Sequence, residues 1–274
     1  MDGEQAPLQF LPSRPMQRVA WKGAGPLLPG ERTLPEELPV AFSYQGSSYA
    51  VMMATPGDLV DFAHGFSLTE GLVSRIAEIE AVDVVRAETG IVLRVTLATS
   101  RAALFWERRR TLAGPSGCGL CGVESLAQAL RPLPKVESAL TMASGAVADA
   151  MASLSQLQYL NQETRAVHAA AFWHPDLGVT LLREDIGRHN ALDKLAGAIA
   201  GAGLEAGRGA ILLTSRVSVE MVQKAAMIGS PIIIAISAPT TLAVRLAEHA
   251  GITLAAIARG DGFEVFSHHE RFSW

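Results

Sequence analysis

Apolar and polar positions change their period several times along the chain, and each change marks a predicted element. Residues 1 to about 35 show no period: Pro7, Pro12, Pro15, Pro26, Pro29 and Pro35 interrupt polar residues and glycines, which reads as a loose arm. From Pro39 short apolar runs begin. Val40 to Tyr44 and Ser48 to Ala54, separated by Gln45, Gly46 and Ser47, suit a β-hairpin. Thr55, Pro56, Gly57 and Asp58 then open a helix, because Leu59, Phe62, Ala63 and Phe66 recur at helical spacing, with Gly71 as the stop. Strands over Ala81 to Arg86 and Ile91 to Ala98, then a short basic helix from Arg101 to Arg110, complete a small α+β region over residues 36–112.

The next segment, Gly114 to Gly122, is glycine-dense and predicts a mobile or tightly turned loop, with a helix resuming at Val123 and stopping near Pro132. Residues 113–135 form that loop and helix. From Ser144 to Leu160, Val147, Met151, Leu154 and Leu157 share one helical face. Thereafter the periods alternate. Strands Val167 to Trp173 and Val179 to Arg183 precede helix Ala191 to Ala200, strand Ala210 to Thr214 and helix Val217 to Ile228. Strand Ile232 to Ser237, helix Thr241 to Ala250 and strands Thr253 to Ala258 and Phe263 to Ser267 follow. Such alternation over residues 136–274 predicts an α/β layered domain with a largely parallel sheet.

Composition narrows the class of protein. With 274 residues, 49% hydrophobic and 18% charged, the chain is expected to bury a sizeable core in one or two domains. A net charge of -4 without long same-sign runs gives no reason to expect nucleic acid or an anionic membrane as partner. The longest apolar run, Pro231 to Pro239, falls well short of the roughly 20 residues needed to cross a bilayer. Met1, Asp2, Gly3 and Glu4 lack the character of a secretory signal, so the expected location is cytoplasmic.

The two cysteines, Cys118 and Cys121, are two residues apart, which suggests chemistry rather than a disulfide framework. Three readings compete: half of a zinc site, a redox pair, or a sulfur-transfer loop. Structural zinc needs four ligands and there is no second cysteine pair, so the seven histidines would have to supply the rest. A zinc deaminase places His-x-Glu before its cysteines, whereas here His268, His269 and Glu270 lie far after them. A sulfur carrier needs a thiolate and a backbone able to visit two partners, and the glycines meet the second need. A helix starting after Cys121 favours the anion by only about 0.3–1 kcal/mol, so cations such as Arg108, Arg109 and Arg110 are candidates for the remainder, unless they form a solvated helix face.

A second polar segment runs from Arg183 through Glu184, Asp185, Gly187, Arg188, His189, Asn190 and Asp193 to Lys194, between an apolar strand and an amphipathic helix. It reads either as a functional loop or as a capping network with Asn190 as N-cap. Later strand ends carry Thr214, Ser215 and Arg216 with Ser218 and Glu220, then Ser237 to Thr241, then Arg259 to Gly262. In open α/β sheets ligands lie beyond the carboxyl ends of strands, so these turns could line one pocket. Arg216, Lys224 and Arg259 offer charge to phosphates, and Gly260 and Gly262 let backbone N–H groups approach.

Together these stretches resemble one family, the formate dehydrogenase accessory sulfurtransferases of the FdhD/NarQ type, from about Pro39 to Ser267. The resemblance rests on Gly117 to Glu124, on Arg183 to Lys194, on Ser215 to Glu220 with Ser237 to Thr240, and on Gly65 to Gly71. It implies a cytidine-deaminase-like three-layer α/β/α core without zinc chemistry or any permanently bound metal, usually in a homodimer. It implies that a cysteine desulfurase loads Cys118 as a persulfide with Cys121 assisting, and that the sulfur goes to the bis(molybdopterin guanine dinucleotide) molybdenum cofactor of formate dehydrogenase. Ile257, Ala258, Arg259, Gly260, Asp261 and Gly262 match the segment associated with that cofactor, and His189, Arg216, Lys224 and Ser237 are further candidates. Two rival readings are a non-catalytic cofactor chaperone and a zinc-dependent hydrolase of the deaminase type. One departure concerns the backbone: Arg165 stands where the family tends to place a glycine, shortly before His168, which reads as a core histidine or a site residue.

Overall fold

The computed structural model describes residues 10–23, 25–111, 132–260 and 262–274. Cys118, Cys121 and Asp261, together with the helix expected from Val123, lie outside the described residues.

The proline-rich N-terminus is more ordered than its sequence predicts. From Ser13 it forms an antiparallel ribbon of β1 (Ser13–Ala20) and β2 (Leu28–Pro35), with Ser13 opposite Pro35 and Ala20 opposite Leu28. The expectation of a loose arm fails there for a physical reason. Both strands of a two-stranded ribbon are edges, where proline's missing N–H need not break a ladder.

Next comes a four-stranded sheet in the order β4-β3-β6-β5, built from β3 (Leu38–Tyr44), β4 (Ser47–Ala54), β5 (Ile79–Ala87) and β6 (Gly90–Leu97). The β3–β4 hairpin turns at Gln45 and Gly46, both at positive φ (51° and 77°), the twist a two-residue hairpin requires. Alternation directs Val40, Phe42 and Tyr44 with Ile91, Leu93 and Val95 into one apolar cluster. Helix α1 (Leu59–Thr69) covers that face with Phe62 and Phe66, and α2 (Thr99–Thr111) adds Phe105.

The second unit is centred on six strands in the order β13-β12-β11-β10-β8-β9. They are β8 (His168–His174), β9 (Gly178–Asp185), β10 (Ala210–Leu213), β11 (Ile232–Ala235), β12 (Thr253–Arg259) and β13 (Gly262–Ser267). Short strands β7 (Met142–Ala143) and β14 (Phe272–Ser273) pair beside it. Only β10–β11 and β11–β12 are parallel, so the sheet is mixed rather than largely parallel. The reason is connection length: β8–β9 and β12–β13 are joined by short turns, which force antiparallel pairing, and only the three helical crossovers can return the chain in the same sense.

Those crossovers are α5 (Arg188–Gly201), α6 (Val219–Met227) and α7 (Thr241–Ala250). They pack on the sheet face presented by Ala170, Phe172, Ile211, Leu213, Ile233 and Leu254. The alternate residues Ala171, Trp173, Leu212, Ile234 and Ala255 point the other way, against Val147, Ala150 and Leu154 of α3 (Ser144–Leu157). The result is the expected α/β/α layering.

The helix expected to run unbroken to Leu160 breaks at Gln158, and α4 (Tyr159–Thr164) begins in a new direction. The Glu184 carboxylate holds that start, accepting from the backbone N–H groups of Leu160 (2.8 Å) and Asn161 (2.9 Å). Helix α4 ends at Arg165, whose φ of 57° is left-handed and whose N–H donates to the Asn161 carbonyl. This is the conformation a glycine C-cap favours, which accounts for the glycine expected there. Arg165→Gly should therefore raise unfolding stability by about 1 kcal/mol, read as a higher denaturant midpoint at unchanged slope.

Candidate functional site

The two units are joined by α1 lying against α5. A Cβ on Gly65 would stand 1.6 Å from the Asp193 carbonyl oxygen, and one on Gly197 would stand 1.9 Å from the Asp61 carbonyl oxygen. No side chain fits between the helices at either point. Around this crossing run two buried ion networks. Lys194 Nζ meets Asp185 Oδ2 at 2.7 Å and donates to the Thr55 carbonyl (2.8 Å), while both groups of the pair are fully buried. Asp185 also accepts from the backbone N–H groups of Thr55 and Gly187 and from Asn190 Nδ2, whose other donation reaches the Met53 carbonyl. In the second network Lys224 Nζ meets Asp193 at 2.9 Å and Glu70 at 3.1 Å, and the Thr69 hydroxyl donates to Asp193 at 2.6 Å. Burial pushes the Asp193 carboxyl up, against the opposing pull of Lys224. The Lys224 ammonium is held above its usual range, since Asp193 and Glu70 outweigh burial, which alone would lower it.

These contacts divide the polar Arg183–Lys194 segment by direction. Asp185, Asn190, Asp193 and Lys194 face inward as ties between the units. Asn190 is a buried member of the first helical turn, not the N-cap, which is Gly187. His189 faces the other way, toward Glu220 of α6 after the end of β10, and Arg188 lies close enough to His168 for its charge to be felt there.

There the expected strand-end residues do converge. Ile236 N–H donates to the Leu213 carbonyl and Thr240 N–H to the Val217 carbonyl, joining the turn after β10 to the turn after β11. Ile257 N–H reaches the Ser237 carbonyl at 3.5 Å and Arg259 Nε the Ile236 carbonyl at 3.2 Å, joining the β12–β13 turn to the same rim. Arg216, Ser237, Ile257, Ala258, Arg259, Gly260 and Gly262 thus lie along one continuous edge, with Arg216 and Arg259 exposed. Ile257 sits at φ 54° within a bulge of β12. A β-branched residue there is strained by about 1–3 kcal/mol, a cost that proteins tolerate mainly where a backbone shape serves a function.

Lys224 is the exception among the candidates. A cation after a strand end reads as a phosphate ligand in the sequence, but the helix turns it toward α1, and its charge is already met by Asp193 and Glu70. It is an internal tie, not part of the rim.

The pair formed by His189 and Glu220 carries more weight in the structure than its residues suggest in the sequence. His189 Nε2 stands 3.8 Å from Glu220 Oε2, an ion-pair rather than a hydrogen-bond distance. The nearby His189 imidazole holds the Glu220 carboxyl down to about 2 despite partial burial. Arg188 Nε, His189 Nε2, Ser218 Oγ and Glu220 Oε2 are all buried atoms without a hydrogen-bond partner among the described residues. Such atoms are costly unless a bound group satisfies them, and three of them, from His189, Ser218 and Glu220, gather at this one junction. The imidazole of His168, paired with Asp185 across β8 and β9, is pushed below its usual pKa by burial first and by the nearby Arg188 charge second, against the pull of Asp185. Glu220→Gln should remove a pH-dependent increment of stability. A depressed acid contributes above its unfolded pKa near 4.5 and loses that contribution as pH falls toward 2, so the difference between wild type and variant should shrink over that window in acid unfolding.

A separate cleft of about 560 Å³ runs beside the edge strand β9, lined by residues 179–184 of that strand, by Leu157, Tyr159, Leu160 and Glu163, and by Pro12, Thr55, Gly57 and Asp58. None of the rim residues lines it. Among the described residues, no group of three His, Cys, Asp or Glu side chains could hold a metal ion. No helix among them is long and apolar enough to cross a membrane.

Known proteins match this chain over most of its length. The family model described as the FdhD/NarQ family matches residues 35–273. The chain is 54% identical over 243 residues to the sulfur carrier protein FdhD of Agrobacterium fabrum, covering 88% of this chain and 90% of that one. It is 53% identical over 257 residues to the sulfur carrier protein FdhD of Brucella abortus, covering 93% and 95%. The crystal structure of a protein described as a formate dehydrogenase accessory protein from Desulfotalea psychrophila superposes with a TM-score of 0.73 at 24% identity, over 95% of this chain and 99% of that one, which establishes a shared fold. A match spanning the cysteine pair, the inter-unit ties and the strand-end rim leaves one conclusion: the chain belongs to the FdhD/NarQ family.

Proposed function

We propose that this protein is a cytoplasmic sulfur carrier that serves formate dehydrogenase. The observation that carries the reading is that the matched span, residues 35–273, contains Cys118 and Cys121 in their glycine setting, within a chain 54% identical to a sulfur carrier protein. In the first step the Cys118 thiolate attacks the terminal sulfur of a cysteine desulfurase persulfide. The donor's S–S bond breaks, a new S–S bond forms on Cys118, and the donor cysteine leaves as a thiolate. Cys121 assists as the neighbouring thiol.

The acceptor is the bis(molybdopterin guanine dinucleotide) molybdenum cofactor, taken as substrate. The rim fits a phosphate-bearing dinucleotide in kind: Arg216 and Arg259 supply exposed guanidinium groups. Among the described residues, Gly260 and Gly262 have no neighbouring atom where a Cβ would be, so the backbone there is open to a ligand. Arg188, Ser218 and the His189–Glu220 pair add the polar atoms that a ligand would complete.

Cys118→Ala is the test in cells. In a strain lacking its own carrier, the variant should fail to restore formate dehydrogenase activity, at least a hundredfold below wild type. Full restoration by the variant would instead favour a chaperone that holds the cofactor without carrying sulfur. An Arg259→Ala variant should load sulfur normally yet bind the dinucleotide more weakly.

A further inference from the structure

Three aromatic rings meet beside the rim. Phe263 follows Gly262, which pairs with Arg259 across β12 and β13, so it stands one residue, about 3.4 Å, along β13 from the strand-end turn. The chain then runs down β13 and turns through His268 to Arg271, where the His268 carbonyl accepts from the Thr253 hydroxyl at the start of β12, before it returns in β14. That return brings Phe272 against Phe263, with ring centroids 5.0 Å apart, and lays Trp274 over Phe263 at 5.8 Å with 15° between the planes.

The two contacts differ in what they leave open. Phe272 is 5% exposed and belongs to the core between the sheet and α3, whereas Trp274 is 77% exposed. A ring stacked on one neighbour and otherwise bare contributes little to folding. Since β13 is the last strand of its sheet, no strand among the described residues covers that side. A flat aromatic face beside exposed guanidinium groups suits a nucleotide, because every base has a π-face and every phosphate calls for cations.

We propose that Trp274, backed by Phe263, is the platform on which a guanine ring of the dinucleotide stacks, an inference that rests on the cofactor reading above and assigns a side chain to the base. Arg259 leans toward β11, where its Nε donates to the Ile236 carbonyl, and Arg216 lies one strand further, after β10. The phosphates then lie over the ends of β10 to β12, and the base lies beyond β13. From β11 to β13 is two strand spacings, about 10 Å, within reach of an extended nucleoside diphosphate.

The test titrates the intact chain with guanosine diphosphate and with inorganic pyrophosphate, which has no ring to stack. Trp274→Ala should weaken guanosine diphosphate at least about fivefold, the equivalent of roughly 1 kcal/mol for one stacked base, and leave pyrophosphate unchanged. Trp274→Phe should restore most of the affinity. Equal affinity for guanosine diphosphate in wild type and Trp274→Ala would overturn the inference and leave the cofactor reading standing. A matching loss of pyrophosphate affinity would make Trp274 a structural residue and overturn it too. A wild-type protein that binds neither probe would overturn the inference and the cofactor reading together.

Discussion

Gly197→Ala is expected to leave little folded protein. The added methyl would lie 1.9 Å from the Asp61 carbonyl oxygen, and the obstacle is the backbone of α1, which has no rotamer to change. Gly65→Ala meets the same obstacle from the other helix, 1.6 Å from the Asp193 carbonyl oxygen. Relief requires moving α1 away from α5, which would pull Thr69 and Glu70 from Asp193 and Lys224. Ordinary overpacking costs about 1–3 kcal/mol. Here neither side can give, so a loss above about 3 kcal/mol is expected, a large part of a typical domain's stability. At Gly201, in the same helix, no described atom comes within 4 Å of where a methyl would stand, so Gly201→Ala should be neutral or stabilising. Denaturant unfolding of the three variants separates steric contact from helix propensity.

Lys194→Met should cost about 3–5 kcal/mol, because it strands the Asp185 carboxylate with both groups of the pair at 0% exposure. The double variant Asp185→Asn/Lys194→Met should lose less than the single one. An amide oxygen at the Oδ1 position can still accept from the Gly187 N–H and from Asn190 Nδ2, its NH2 then facing the Thr55 N–H as an unmatched donor, and no charge is left in the interior. If the double variant were instead as unstable as the two single losses added together, the pair would be contributing through packing rather than charge.

Much of this fold was legible in the sequence because local period fixed it. The β3–β4 hairpin, α1 and the three crossover helices follow apolar spacing with turn residues at their ends. What escaped was set by partners distant in the chain. The ribbon from Ser13 looked irregular because proline reads as a breaker, yet a two-stranded ribbon has only edges to offer it. The mixed sheet escaped because alternation of strands and helices does not reveal which short turn reverses a strand.

The site was legible in the same uneven way. Among the described residues, the strand-end turns carrying Arg216, Ser237 and Ile257 to Gly260 lie beside one another, as the α/β rule predicts. Lys224 did not join them, because its charge is met by Glu70, 154 positions earlier, which no local pattern discloses. The Gly65–Gly71 motif explains itself only in three dimensions. Gly65 admits α5, Phe66 fills the core, and Ser67 bonds Tyr44. Thr69 and Glu70 reach the second network, and Gly71 turns the chain at φ 68°. A motif that in the sequence only carries the family resemblance is here the joint that holds two units, and so the rim, in place.

On the proposed function, Cys118 carries the sulfur. Incubating the intact protein with a cysteine desulfurase and cysteine, then mapping peptides by mass spectrometry under non-reducing conditions, tests it most directly. The predicted result is a gain of one or more sulfur atoms on the peptide containing Cys118, lost on treatment with thiol and absent from Cys118→Ala. Unmodified Cys118 after complete turnover of the donor would contradict it.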